Sequence, residues 1–218
     1  MKLSMETINI LKNFAGINSN FVADAGSEIK TISEAKNILA KATIREEFPS
    51  AFGIYDLSEF LSVLGLFTTP ELSFTDSHIV IKEEGQRRQV KYSPSDREIL
   101  TYPQKDINMP SADVEFVLTA ANIADIKRAA STLGVSDIVI SGDSISVCDL
   151  KNPSTNSYDI NVDGIQLEDG QQIVFNIANL RMIAGDYKIS VSDKLISQFE
   201  QTSGEATYWI ALEKSSKL

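Results

Sequence analysis

Apolar residues spaced three or four positions apart predict four helices along this chain. The first opens at Ser4, whose hydroxyl can cap it, and runs to about Ala15 with Ile8, Leu11 and Phe14 on one side. The same spacing predicts helices at 57–64, 119–133 and 177–183. The helix at 57–64 follows the capping residue Asp56, the helix at 119–133 begins at the capping residue Thr119, and each stops at a glycine. Each helix therefore has one face for a core and one polar face.

Short runs rich in β-branched and aromatic residues predict strands between these helices. In the first half of the chain they lie at 21–23, 28–32, 38–44, 52–55, 72–74, 79–82 and 89–92. In the second half they lie at 114–118, 137–141, 145–148, 158–162, 172–175, 187–191, 196–199 and 206–212. Many short antiparallel strands with two helices in each half predict an α+β fold, with the helices packed on one face of the sheets.

The second half of the chain repeats the order of elements in the first half. Ser4 and Thr119 open corresponding helices and are 115 positions apart, as are Leu72 and Tyr187, which open corresponding strands. The two short helices are bracketed in the same way, at 56–65 and at 176–185. A period of about half the chain indicates two copies of one domain and not a solenoid. Each copy, of roughly 110 residues, is large enough to bury its own core.

The pattern breaks between the two copies. Pro94, Pro103 and Pro110 lie among polar residues there, and proline interrupts both helices and central strands. We therefore predict an N-terminal domain at 1–93, an interdomain linker at 94–112 and a C-terminal domain at 113–218.

Composition narrows the function classes. The net charge of −10 would by itself argue against nucleic acid, because phosphate binding normally requires a basic surface. No apolar run reaches the roughly 18 residues that span a bilayer, and the first residues lack a secretory signal pattern. The only cysteine, Cys148, fits a reducing compartment. These features predict a cytoplasmic protein with no membrane partner.

Catalytic and metal-binding patterns are missing from the sequence. The only histidine, His78, lies beside a predicted strand, and Cys148 has no second histidine with which to form a nucleophile pair. The adjacent acids 46–47 and 83–84 point to opposite faces of a strand, as solvated edges do. No phosphate loop, metal-ligand spacing or nucleophile elbow occurs. We therefore predict no enzyme activity, no cofactor and no metal, although an active site of dispersed residues stays open.

Basic residues are concentrated on the helices of this acidic chain. Lys12, Lys127, Arg128 and Arg181 all lie on predicted helices, and the first three lie opposite the apolar side. They fit an ordinary amphipathic surface. They also fit a shared basic surface, if the corresponding helices of the two copies line one side of the molecule.

Two predicted strands carry features of exposed sheet edges. Arg87, Arg88 and Lys91 form a basic cluster at the strand 89–92. Such a cluster protects a solvated edge from aggregation, and it also suits a contact with a partner. The strand 158–162 alternates polar and apolar residues and could pair between protomers. The sequence does not determine which edge meets which.

The chain resembles the sliding clamps of T-even-type bacteriophages, the ring-shaped processivity factors of DNA polymerase. The segments that carry the resemblance are Met1-Lys-Leu-Ser, Leu11-Lys-Asn-Phe-Ala, Ile17-Asn-Ser, Ile54-Tyr-Asp-Leu, Gly185-Asp-Tyr-Lys and Tyr208-Trp-Ile-Ala-Leu-Glu. They are spread over both predicted domains. None is a specific motif, and their order and spacing together with the internal repeat make the match.

The resemblance implies two similar clamp domains in each chain, with helices lining one face and antiparallel sheets forming the outer wall. It implies a homotrimeric ring that encircles duplex DNA without sequence preference and tethers the replicative DNA polymerase. An ATP-dependent clamp loader would open the ring, and late-transcription factors are further partners of this class. The place of action would be the cytoplasm of the infected bacterial host.

The resemblance also gives candidate site residues. The residues expected to face DNA are Lys2, Lys12, Lys127, Arg128 and Arg181. Those expected to form a pocket for partner peptides, near the linker and the last strand, are Ile107, Met109, Trp209, Ile210 and Leu212. Because neighbours on a strand alternate, one of Trp209 and Ile210 is expected to face the core. The alternative hypothesis is a non-catalytic structural or assembly protein built from the same duplicated α+β domain.

Overall fold

The computed structural model describes all 218 residues and divides them into two compact units, Met1–Asp106 and Ile107–Leu218. The division falls inside the segment 94–112, which the prolines predict to be a linker. Both units contain antiparallel sheets and helices, as an α+β fold requires. None of the helices is both long and apolar enough to cross a membrane.

The first unit holds two helices and seven strands. The helices are α1 (Met5–Ile17) and α2 (Leu57–Leu64). One group of strands has the order β4-β1-β2-β3, made of β1 (Phe21–Ala23), β2 (Gly26–Ile32), β3 (Ile38–Phe48) and β4 (Phe52–Ile54). A separate sheet runs β5-β6-β7, made of β5 (Glu71–Phe74), β6 (Ile79–Lys82) and β7 (Gln89–Tyr92). Helix α1 packs on β2, β3 and α2.

The second unit holds one helix and eight strands. Helix α3 (Ala120–Leu133) packs on β10. One group of strands runs β15-β14-β13-β8, from β8 (Val114–Leu118), β13 (Tyr187–Ser192), β14 (Ile196–Gln201) and β15 (Ala206–Ala211). A separate sheet runs β11-β10-β9-β12, from β9 (Asp137–Ser141), β10 (Ser144–Cys148), β11 (Tyr158–Asn161) and β12 (Ile173–Asn176).

Local sequence signals define the ends of the helices. The Ser4 hydroxyl accepts a hydrogen bond from the Thr7 amide and caps α1, and Thr119 forms a reciprocal capping box with Asn122 at the start of α3. Gly134 ends α3 in the left-handed conformation, with φ of 66°. These three boundaries are the predicted ones, because capping depends on residues close in sequence.

The prediction of a fourth helix at 177–183 was wrong. Only a single 3₁₀ turn, Ile177–Asn179, forms there. Ile183 is held instead by two tyrosines from the neighbouring strands: its carbonyl accepts from the Tyr187 hydroxyl at 2.6 Å, and its amide donates to the Tyr208 hydroxyl at 3.2 Å. The Ile183 amide thus donates to a tyrosine hydroxyl and not to the Asn179 carbonyl, as it would in a helix over 177–183.

Candidate nucleic-acid interface

Helix α1 presents a polar face that is nearly free of acids. Its buried side consists of Thr7, Ile10, Leu11, Phe14 and Ile17. On the opposite side, the exposed Lys12 forms no ion pair, and Glu6, in the first turn, contacts Arg45 at 3.6 Å. The centre of the exposed face of α1 therefore carries an unneutralised positive charge.

The two adjacent cations of α3 lie in different surroundings, and of the two only Arg128 lies opposite the buried side, so the prediction for Lys127 was wrong. The Lys127 side chain is about half-buried and forms no ion pair, and this burial lowers the pKa of its ammonium group. The Arg128 side chain is 77% exposed and binds Asp125, with Nη2 2.5 Å from Oδ1. Lys127 is thus the cation of α3 whose charge no carboxylate neutralises.

Lys2 and Arg181 each have a partner within the chain. Lys2 lies 3.1 Å from Glu71, and the hydrogen bond and charge of Glu71 raise the pKa of the lysine. The exposed Arg181 follows the 3₁₀ turn and is not on a helix, and its Nε donates to the Ala178 carbonyl at 2.8 Å. The expectation that Arg181 lies on a helix was therefore wrong, because the helix itself does not form.

Lys2 and Lys12 lie together on an apolar groove in the first unit. The groove runs between α1 and α2, has a volume of about 360 Å³ and is lined by no carboxylate. Met5 lines it with 67% of its surface exposed, and Leu66 beside it is 58% exposed. This groove was not predicted from the sequence. Its only signal was a pair of large apolar residues, Met5 and Leu66, outside the predicted core faces.

Glu46 fixes the start of α1 and so positions the groove that Lys2 and Lys12 line. Its carboxylate accepts hydrogen bonds from the Ser4 amide and from the Thr7 hydroxyl, both at 2.5 Å. Partial burial alone would raise the pKa of Glu46, but the hydrogen bonds from Thr7 and Ser4 outweigh burial and hold the pKa below its ordinary value of 4.5. A negative charge here also interacts favourably with the N-terminus of α1.

Replacing Glu46 with glutamine is expected to lower the free energy of unfolding by about 1 kcal/mol at neutral pH, because the charge at the helix N-terminus is lost. Folding lowers the pKa of Glu46, so its stabilisation is present above the ordinary value of 4.5 and is lost as the pH falls through the folded pKa. Urea unfolding between pH 3 and 8 should show the free energies of unfolding of wild type and Glu46→Gln converging at acid pH. The exposed neighbour Glu47→Gln is the control. A difference in the free energy of unfolding that stays constant from pH 3 to 8 would contradict the stabilising charge assigned to Glu46.

The residues proposed for the peptide pocket all lie in the second unit. Ile107 and Met109 are half-buried. Trp209 is also half-buried, and its indole Nε1 donates to Gln198 Oε1 at 3.0 Å. Ile210 is 0% exposed and Leu212 is 6% exposed. Ile210 and Leu212 therefore support the last strand from the core side. Trp209 keeps a partly accessible side chain, because neighbours on a strand point to opposite faces.

The fold matches that of solved DNA polymerase sliding clamps and of PCNA. PCNA of A. fulgidus, solved with the C-terminal region of FEN-1 bound, superposes with a TM-score of 0.71 at 15% sequence identity, covering 99% of this chain and 98% of that one. This likeness establishes the class of fold, a duplicated clamp domain of antiparallel sheets with few helices.

Sequence comparison identifies the family. A family model for DNA polymerase processivity factors matches residues 4–97, and one for the C-terminal part of the gp45 sliding clamp matches residues 115–214. The sliding clamp of Vibrio phage KVP40 is 34% identical over 98% of this chain and 99% of its own length. That of Escherichia phage RB69 is 32% identical over 99% and 98%. The chain belongs to the sliding-clamp family of T4-like phages, non-catalytic processivity factors of DNA polymerase.

Proposed function

We propose that three copies of this chain close into a ring around duplex DNA and tether the replicative polymerase of a phage in the cytoplasm of its bacterial host. The single observation that carries the proposal is that the first half of the chain matches a DNA polymerase processivity factor model and the second half matches a sliding-clamp model. In this proposal the domains extend over 1–93 and 113–218, with 94–112 as the linker.

The charge of the chain is compatible with a ring that slides. A closed ring is held on DNA by topology and does not need tight binding, so a net charge of −10 on each chain is tolerable. The excess of acids would reduce adhesion to the outside of DNA, while the cations facing the duplex keep the local potential positive. Lys12 and Lys127 best suit this role, because neither forms an ion pair within the chain. Lys2, Arg128 and Arg181 complete the proposed DNA-facing set.

Partner proteins are proposed to dock on the second unit. Short hydrophobic peptides of the DNA polymerase, and of late-transcription factors, would contact Ile107, Met109 and Trp209, with Ile210 and Leu212 supporting the strand from below. An ATP-dependent clamp loader would open and close the ring. The sequence of this chain contains no phosphate-binding loop of its own.

Solution mass and loader-dependent synthesis test this proposal together. Three chains of 24.0 kDa give 72 kDa, so light scattering across a concentration series should show a species near that mass that dissociates only on dilution. Primer extension with a T4-like polymerase and its clamp loader should then become processive when this chain and ATP are added. A monomer that persists at tens of micromolar, with no effect on product length, would contradict the proposal.

A further inference from the structure

Helix α3 is attached to its unit by a narrow apolar stripe. Of its fourteen residues only Ile123, Ile126 and Ala130 are buried, whereas five of the thirteen residues of α1 are. The first turn of α3 contains no acidic residue, so no side chain of the helix itself complements the positive end of the helix dipole. The placement of α3 therefore depends on polar contacts to other elements more than the placement of α1 does.

One amide at the start of α3 has its partner outside the helix. The capping box uses the Thr119 amide, which donates to Asn122 Oδ1 at 3.1 Å, and the Asn122 amide, which donates to the Thr119 hydroxyl at 3.2 Å. The Ala120 amide donates instead to Asp186 Oδ1 at 2.7 Å, 66 positions further along the chain. Because amides of a first turn have no acceptor within the helix, Asp186 satisfies one that the helix itself cannot.

The backbone of Asp186 is fixed on both sides. Its carbonyl accepts from the Thr202 amide at 3.0 Å and from the Thr202 hydroxyl at 3.3 Å. The next residue, Tyr187, opens β13 and is 0% exposed. Before Asp186, a Cβ on Gly185 would lie 2.6 Å from Gln201 Nε2, so the chain is closely packed there. The carboxylate that binds α3 thus stands on firmly held backbone.

The first unit has an acid in the corresponding place. Glu71 and Asp186 are 115 positions apart, which is the offset that relates the two halves of the chain. Glu71 opens β5 and binds Lys2, two residues before the cap of α1, with Nζ and Oε1 3.1 Å apart. In both units a carboxylate at the start of a strand therefore holds the chain that enters the long helix. The repeat indicates that this tie belongs to the duplicated domain and not to one loop alone.

The cations of α3 move with its N-terminus. Lys127 lies seven residues after Ala120, about 10 Å along the helix axis, and Arg128 follows it. The hydrogen-bonded helix joins these positions, so a shift at Ala120 carries both cations with it. A group that holds a functional side chain in place through its supporting element acts on function without touching the ligand.

We infer that Asp186 is a positioning residue: its hydrogen bond to Ala120 ties α3 to β13 and sets where Lys127 and Arg128 stand against duplex DNA. Asp186 touches no DNA and acts through the two cations. This inference rests on the proposed function, because the placement of α3 matters only in a lining that meets DNA. It also explains an exposed acid beside a basic surface, where an unbound carboxylate would only repel phosphate.

Two substitutions of Asp186 separate the hydrogen bond from the charge. Asp186→Ala removes the acceptor, and we expect loader-dependent primer extension to fall about fivefold at physiological salt, a change that corresponds to the loss of one hydrogen bond. Asp186→Asn removes the same charge but keeps an oxygen that the Ala120 amide can reach, so most of the synthesis should return. Both variants should fold, because Asp186 is exposed. Asp76→Ala, which removes an exposed acid from the first unit, is the control.

A background without the two cations shows whether Asp186 acts through them. In the Lys127→Met/Arg128→Met variant, adding Asp186→Ala should lower synthesis further by less than about twofold, because effects that share one route are not additive. A merely structural role would instead lower synthesis by the same factor in both backgrounds, and this result would overturn the positioning role.

Amide hydrogen exchange tests the contact in the free chain, without DNA or loader. The Ile123 amide donates to the Thr119 carbonyl at 3.1 Å and reports whether the first turn of α3 is closed. We expect exchange at Ile123 to become about fivefold faster in Asp186→Ala and to stay within about twofold of wild type in Asp186→Asn. Exchange that is unchanged in Asp186→Ala would contradict the tie.

The outcomes separate the role of Asp186 from the proposed function. If wild type does not stimulate synthesis, the proposed function is wrong and the link from Asp186 to DNA falls with it, while exchange at Ile123 still measures the tie to α3. If wild type stimulates synthesis and Asp186→Ala equals it, or the alanine and asparagine variants are equally impaired, the positioning role is wrong while the clamp stands. Synthesis above wild type in both variants would leave Asp186 only a repulsive charge and would also overturn the positioning role.

Discussion

Replacing Lys127 and Arg128 together with methionine is expected to reduce loader-dependent DNA synthesis by about tenfold or more at physiological salt. In a trimer the change removes six cations from the proposed lining, and the affinity for DNA falls with every phosphate that no longer meets a cation, by an amount that depends on salt. The fold should survive, because neither residue is among the buried positions of α3, which are Ile123, Ile126 and Ala130. The measurement is primer extension with loader and ATP across a salt series.

The two single variants should differ in their effects. Arg128 is bound to Asp125, so removing it also frees a carboxylate, whereas Lys127 has no carboxylate partner. We expect Lys127→Met to reduce the dependence of synthesis on salt more clearly than Arg128→Met, and Arg128→Met to add a repulsive charge near DNA. The control for the double variant is Lys194→Met with Lys214→Met, which removes the same number of positive charges from exposed positions outside the helices. Synthesis that stays unchanged in the Lys127/Arg128 variant would contradict the assignment of these residues to the lining.

Replacing Gly53 with alanine is expected to lower the free energy of unfolding by about 2–3 kcal/mol. A Cβ at this position would lie 2.6 Å from Cδ1 of Leu100 and 2.7 Å from the Ser95 carbonyl oxygen. Leu100 is only 7% exposed, and the Ser95 amide donates to the Gly53 carbonyl at 2.9 Å, so neither neighbour can move without losing its own packing or hydrogen bond. Urea unfolding, followed by circular dichroism, measures the change.

Gly16→Ala is the matched control and should change stability in the opposite direction. A Cβ at Gly16, in the last turns of α1, meets no atom within 4 Å. Alanine should therefore raise the free energy of unfolding by about 0.5–1 kcal/mol through its helix propensity. If Gly53→Ala were as stable as wild type, the segment around Ser95 and Leu100 would not be packed against β4.

The segment after β7 is more ordered than its prolines suggest. The side-chain Nδ2 of Asn18 donates to the Thr101 carbonyl at 2.9 Å, and the Thr101 backbone amide donates to Asn20 Oδ1 at 3.0 Å. Lys30 binds Asp106 at 2.5 Å, and desolvation of this lysine is outweighed by Asp106 and Glu28, which raise its pKa. The prolines correctly indicate the end of regular structure. They carry no information about contacts to residues some 80 positions away.

The sequence by itself determined the duplicated α+β fold, the caps of α1 and α3, and the alternation that buries Ile210 beside Trp209. These features depend on residues within a few positions of one another, where spacing and capping chemistry act. Only the tertiary structure decided that 177–183 is not a helix and that Lys127 is half-buried. Both depend on which side chains and backbone groups of other elements reach the same place, as Tyr208 reaches Ile183. Local spacing cannot encode such meetings, because they are set by the packing of the whole unit.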